Sequence, residues 1–174
     1  MRPAHLAIIA RAASVALAAA CLTTGGCASA PAGPRSWIEP GATRAPSDAA
    51  PIGAAVARFV ASRVSPARSL LVLLPPPDAQ RAQPAAAAVA AGVTDALRRT
   101  GFAVAPETGA PAGGPADATV HRVRYVVTPL ATSVGTRVLL RVQLDQTVEA
   151  ARLFRRDTTG ALVTAAPLTV REGS

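Results

Sequence analysis

The chain has no lysine; all 18 of its basic residues are arginine. Without lysine, Schiff-base chemistry and a GxxxxGK[ST] phosphate loop are excluded. Cysteine occurs only at Cys21 and Cys27, so the rest of the chain can hold neither a disulfide framework nor a thiol nucleophile. Beyond the first 30 residues the only histidine is His121. Alone, and at the start of an expected strand, it reads as a solvent-facing residue rather than a base or zinc ligand. The five aromatics are Trp37, Phe59, Phe102, Tyr125 and Phe154. They leave little surface for base stacking, and the core must be built from Val, Leu and Ala. The acids after Asp48 fall mostly in expected loops, turns or helix surfaces, and none pairs convincingly for acid–base work. Gly109 to Gly114 is glycine-rich, but no helix start follows to make a phosphate cradle. These absences point to a non-enzyme with no catalytic residues, no metal, no cofactor and no evident small-molecule substrate.

What is present begins with a leader. Arg2 supplies a basic start, Leu6 to Leu22 is apolar apart from Arg11, and Thr23–Ala30 is built of small residues. This order of basic, apolar and small is that of a secretory signal peptide. The apolar run is shorter than the ~20 residues a membrane span needs. Gly26-Cys27 reads as the end of a lipobox, with Thr24 where Leu is preferred, so residues 1–26 are expected as a lipoprotein signal peptide and Cys27 as the lipidated residue. Lipidation at Cys21 and ordinary cleavage after Ala30 remain open. The expected location is the outer membrane, lipid-anchored and facing the periplasm; a soluble periplasmic form is the alternative.

Residues 27–50 are proline- and alanine-rich without period and read as a flexible tether. Trp37-Ile38 stands out inside it as a candidate partner-docking pair. From Pro51 the pattern is that of one domain, 51–174. Ile52, Val56, Phe59 and Val60 recur at helical spacing over Pro51–Val64, and Ser65-Pro66 ends that helix. Ser69–Leu74 is a short continuous apolar strand. Pro84 opens a second helix, Ala85–Thr100, which Gly101 closes before the strand Phe102–Ala105. Residues 106–118 read as a mobile loop.

The last third reads as β. Arg122–Val127 alternates, with Val123, Tyr125 and Val127 on one face. Over Arg137–Leu144, Val138, Leu140, Val142 and Leu144 point in, while Arg137, Leu139, Arg141 and Gln143 point out. Residues 128–136 are expected to link these strands loosely. Val148–Arg156 is a further strand whose alternation slips near Ala150-Ala151, as at a bulge, and Pro167 implies an edge strand or a break near the end. The fold class is α+β: two helices packed on a mixed sheet of about five strands, a helix and a βαβ unit followed by an antiparallel meander.

Removing Arg2 and Arg11 with the leader takes the formal charge from +8 to +6. The arginines are spread along the chain, which argues against specific nucleic-acid binding. They leave a periplasmic module for an anionic ligand as the alternative function.

The residues Ala96-Leu97-Arg98-Arg99-Thr100-Gly101-Phe102-Ala103-Val104, Arg124-Tyr125-Val126-Val127, Thr159-Gly160-Ala161-Leu162 and Ala166-Pro167-Leu168-Thr169-Val170-Arg171 carry a family resemblance. In order and spacing over about residues 51–172 the chain resembles the TrbH family of conjugal-transfer (mating-pair formation) lipoproteins. The resemblance implies a structural component of a conjugative type IV secretion apparatus at the outer membrane, anchoring or stabilising the channel core complex. It implies other conjugal-transfer channel subunits as partners, the membrane through the N-terminal lipid, and no catalytic residues. An exposed edge of the sheet is the expected docking surface.

Overall fold

The computed structural model describes residues 35–107, 117–133 and 135–173. The α+β class expected from the sequence is what it shows: two main helices on a mixed sheet.

Helix α1, Ala49–Ala61, has Pro51 in its first turn, where the missing N–H is not needed. It buries Ile52, Val56, Phe59 and Val60 completely. It stops at Ser62, whose hydroxyl turns back to donate to the Phe59 carbonyl (2.6 Å). A single turn, α2 (Asp78–Arg81), precedes α3 (Pro84–Arg99). Helix α3 starts on a proline and ends as its sequence indicates. Gly101 takes φ +90°, and the Phe102 N–H returns to the Leu97 carbonyl (3.2 Å). Phe102 is thereby folded into the core. The two helices cross at glycines. A Cβ on Gly53 would stand 2.4 Å from the Gly92 carbonyl oxygen, and one on Gly92 would stand 2.9 Å from Ala49 Cβ. Only hydrogen fits at this crossing.

The sheet contains β1 (Trp37–Ile38), β2 (Ser69–Leu73), β3 (Ala103–Pro106), β4 (Thr119–Thr132), β5 (Gly135–Leu144), β6 (Val148–Arg156), β7 (Leu162–Thr164) and β8 (Thr169–Glu172). Its order is β3-β2-β4-β5-β6-β7, with β8 also on β6 and β1 also on β4. Strands β2, β3 and β4 are parallel, as the βαβ reading requires, and β4-β5-β6 is the antiparallel meander.

Residues 128–136 are not a loose link. Strand β4 runs 14 residues and meets β5 in a tight hairpin, where Thr132 Oγ1 donates to the Gly135 carbonyl (2.6 Å). Pro129 is tolerated inside β4 for a geometric reason. The carbonyls of Val123 and Val127, of the same parity, face β2 and β1, so the N–H that Pro129 lacks would point past the end of β1. The β5–β6 ladder is unbroken from Arg137–Arg155 to Leu144–Val148, so Ala150-Ala151 is not a bulge. The irregularity lies on the next strand, where the N–H groups of Ala165 and Ala166 both reach the Leu153 carbonyl (2.8 and 3.4 Å). That break, ahead of Pro167, splits the edge into β7 and β8.

The largest correction concerns residues 35–50, which were expected to be tether. They belong to the fold. Strand β1 lies parallel to β4, collinear with β2, and the two share one flank of β4. Glu39-Pro40-Gly41-Ala42 forms a turn closed by the Ala42 N–H to the Glu39 carbonyl (3.0 Å), with Gly41 at φ +79°. Ser36, Ile38, Ala42 and Asp48 are all buried. In the gap between β2 and β1, Ser36 Oγ accepts the otherwise unmatched N–H of Tyr125 (3.2 Å). On the outer side of β1 the Gln80 amide acts as a substitute strand. Its oxygen accepts from Ile38 N (3.1 Å) and its nitrogen donates to Ile38 O (2.9 Å).

Candidate functional site

Alternation along β4, β5 and β6 separates the sheet into two faces. The helix-covered face presents Val123, Tyr125 and Val127 opposite Leu144, Val142 and Leu140, then Ala150 and Phe154 on β6. All are buried in one core with Ile38 and both main helices. At about 25 cal/mol per Å², each such large side chain contributes roughly 1.5–3 kcal/mol to folding.

This face also carries two arginines of β6 with opposite environments. Arg156 forks onto buried Asp48, with Nη1 to Oδ1 at 3.1 Å and Nη2 to Oδ2 at 2.9 Å, and Nη1 also donates to the Gly160 carbonyl (2.8 Å). Burial alone would raise the Asp48 pKa. The Arg156 hydrogen bonds, the backbone N–H groups of Arg44 and Ala45, and the Arg156 charge outweigh it and hold the carboxyl below its usual range. Arg152, two rows along, has no acid partner; the Nε atoms of Arg152 and Arg156 are both buried without a hydrogen-bond partner. Burial, followed by the charge of Arg58 on α1, lowers the Arg152 pKa.

The other face is open: on β4, β5 and β6 none of its described residues is buried. Strand pairing arranges it in rows. Arg124 stands beside Gln143 and Glu149, then Arg171. Trp37 stands beside Val126, Arg141 and Ala151. Next come Thr128, Leu139 and Leu153, then Leu130, Arg137 and Arg155. Arg122 extends the set at the start of β4. The result is an apolar middle that includes Arg141 and is flanked by five further arginines; none of the six forms an ion pair among the described residues. Arg124 is pinned instead, Nε to the Arg35 carbonyl (2.6 Å) and Nη1 to Gln143 Oε1 (3.2 Å). The acids on this face are Glu149 and Glu39, whose carboxylate accepts from Thr128 (3.3 Å).

The sequence-chosen residues fall in different places. Cys27, Cys21 and Ala30 lie outside the described residues, as do residues 108–116 of the 106–118 loop. Of the Trp37-Ile38 pair, Ile38 is 4% exposed and belongs to this domain's own core, so it is not free to dock. Trp37, next in the strand, points the opposite way and is 42% exposed on the open face. The docking reading therefore narrows to Trp37. His121 is half-buried rather than solvent-facing: its Nδ1 donates to Asp145 Oδ2 (2.6 Å), while Asp145 Oδ1 accepts the Arg122 N–H (2.7 Å). Asp145 sits at φ +52° in the β5–β6 turn, so the pair ties that turn to β4.

A cleft of about 410 Å³ lies at the carboxyl ends of β2 and β3, bordered by Pro75, Pro76, Glu107 and Tyr125. Asp78 and Arg81 at its rim pair with each other. Burial pushes the Tyr125 hydroxyl well above the usual phenol range. Among the described residues no group of three or more His, Cys, Asp or Glu could hold a metal ion. No helix among them is long and apolar enough to cross a membrane.

A family model described as "Conjugal transfer protein TrbH" matches residues 36–173. No curated protein and no solved structure matches the chain significantly.

Proposed function

The chain belongs to the TrbH family of conjugal transfer proteins, and on that premise we propose that it is a structural, non-catalytic lipoprotein of a conjugative type IV secretion apparatus. In this reading Cys27 carries the acyl anchor in the outer membrane, and the domain, facing the periplasm, binds other channel subunits and stabilises the core complex. The observation that carries the reading is the extent of the family match, which spans the whole described fold from Ser36 to Gly173. A candidate acyl-anchor cysteine lies just upstream of it. Anchoring needs more than one acyl chain, since each buried methylene contributes only about 0.8 kcal/mol. The lipoprotein pathway that the Gly26-Cys27 motif points to supplies three.

Two measurements test this. Deleting the gene from a donor strain is expected to abolish or sharply reduce plasmid transfer; transfer at the parental frequency removes the role. Metabolic labelling with an alkyne fatty acid is expected to mark the chain, and Cys27→Ala is expected to lose the mark. Label that persists in Cys27→Ala moves the anchor elsewhere.

A further inference from the structure

We infer that the open face of the sheet, centred on Trp37, Val126 and Leu139 and flanked by arginines, is the surface on which an acidic protein subunit docks. The inference rests on the proposed structural role and specifies where and by what chemistry the partner is held.

Strand addition at a sheet edge, the mode the sequence favoured, is poorly served by this molecule. One edge is β3, only four residues long and closed by Pro106. The other is broken between β7 and β8, where Ala165 and Ala166 both bond to Leu153. Short and interrupted edges resist pairing with a further strand. The open face has the opposite character. Its register is fixed by continuous ladders, and its apolar middle comes from Trp37, Val126, Leu139 and Leu153. A tryptophan among arginines is the composition that carries binding energy at protein interfaces.

The charge balance selects the partner. Arg122, Arg124, Arg137, Arg141, Arg155 and Arg171 face Glu39 and Glu149, a balance of six to two. The complementary surface is therefore acidic. It is also uneven: Glu149 stands in the Arg124 row and Glu39 beside Thr128, near the apolar middle. A uniform sheet of phosphates, as on anionic lipid or DNA, would press like charge onto both carboxylates. A folded protein surface can leave those two positions neutral or basic while presenting acids to the arginines.

The test uses the full chain in donor cells carrying the intact transfer apparatus. A photo-crosslinking amino acid replaces Leu139 or, in a second variant, Ala151; a third places it at Ala54 on the exposed side of α1 as a control. The face positions are expected to give a protein adduct, resistant to nuclease and lipase, whose mapped contact on the partner is rich in Asp and Glu. Arg124→Glu with Arg141→Glu is expected to lower adduct yield at least about tenfold. Replacing the mapped acids by Lys in the partner is expected to restore it. An adduct to lipid or nucleic acid, a mapped contact without acids, or no adduct from either face position overturns the inference. Adducts from Ala54 alone, in a strain whose deletion still abolishes transfer, would refute the face while leaving the structural role standing.

Discussion

One sheet with two faces teaches how differently the same strands can be used. Along β5, Leu140 and Val142 are buried against the helices, while their neighbours Leu139 and Arg141 look outward. The helix face is selected for fit; it holds one matched ion pair, Asp48 with Arg156, and one arginine without an acid partner, Arg152. The open face holds six arginines that form no ion pair among the described residues, and its leucines are only half-buried. Stability is concentrated on one side of the backbone, and the proposed recognition chemistry on the other.

The sharpest way to break the contrast is to unmatch the ion pair. Asp48→Ala leaves the Arg156 guanidinium partly buried without its acid and is expected to cost about 3–5 kcal/mol in denaturant unfolding. The same pair sets an acid limb. The folded Asp48 carboxyl binds its proton at lower pH than the unfolded one does, so its contribution is complete above the unfolded value near 3.9 and disappears as pH falls through the folded value. Asp48→Asn is expected to be less stable at neutral pH and to lack that component of acid unfolding. An unchanged acid limb would remove Asp48 as its source.

Next in size is the face comparison itself. Leu140→Ala is expected to cost about 3 kcal/mol, and Leu139→Ala less than about 1 kcal/mol, in paired urea titrations. Equal losses would mean that the outer face is covered within the domain. Gly53→Ala follows, with an expected loss of about 1–3 kcal/mol from overpacking against Gly92, although alanine gains up to about 1 kcal/mol in helix propensity. A rise in melting temperature would show that the helices separate freely. Smallest, and opposite in sign, Arg152→Met removes a buried unpartnered donor and the repulsion from Arg58, and is expected to gain about 1 kcal/mol.

Much of this organisation was legible in the residues. Strict alternation in Arg137–Leu144 assigned both faces of β5, because a strand's period of two leaves no other register once one face is buried. Pro84 and Gly101 bracket α3 almost to the residue, through rules local to the backbone. What was not legible depends on contacts between distant residues. Residues 35–48 have no period, and they are held by one hydroxyl on Tyr125, one amide from Gln80 and one carboxylate on Arg156. Each bond spans 42 to 108 residues and leaves no local pattern. Pro129 lies within the stretch read as a link, and only the position of β1 explains why it is harmless in a strand. Nothing in the sequence singles out Gly53 and Gly92, since no single sequence marks a close crossing. Trp37-Ile38 was visible as an anomaly, but not that its two side chains serve opposite faces.

The way the chain enters the sheet has a mechanical consequence. On the proposed anchoring and docking, a pull between Cys27 and the open face enters the described residues at Arg35. Strand β1 runs parallel to β4, so tension drawn along β1 loads its bonds to β4 together, in shear, instead of peeling them one at a time. The Gln80 amide doubles the grip on Ile38, and the Arg124 guanidinium holds the Arg35 carbonyl at the point of entry. Behind them, Asp48 locked to Arg156 is a second stop before α1 can be drawn out. The first strand is only two residues long, yet with Ile38 seated in the core it grips both the sheet and the core.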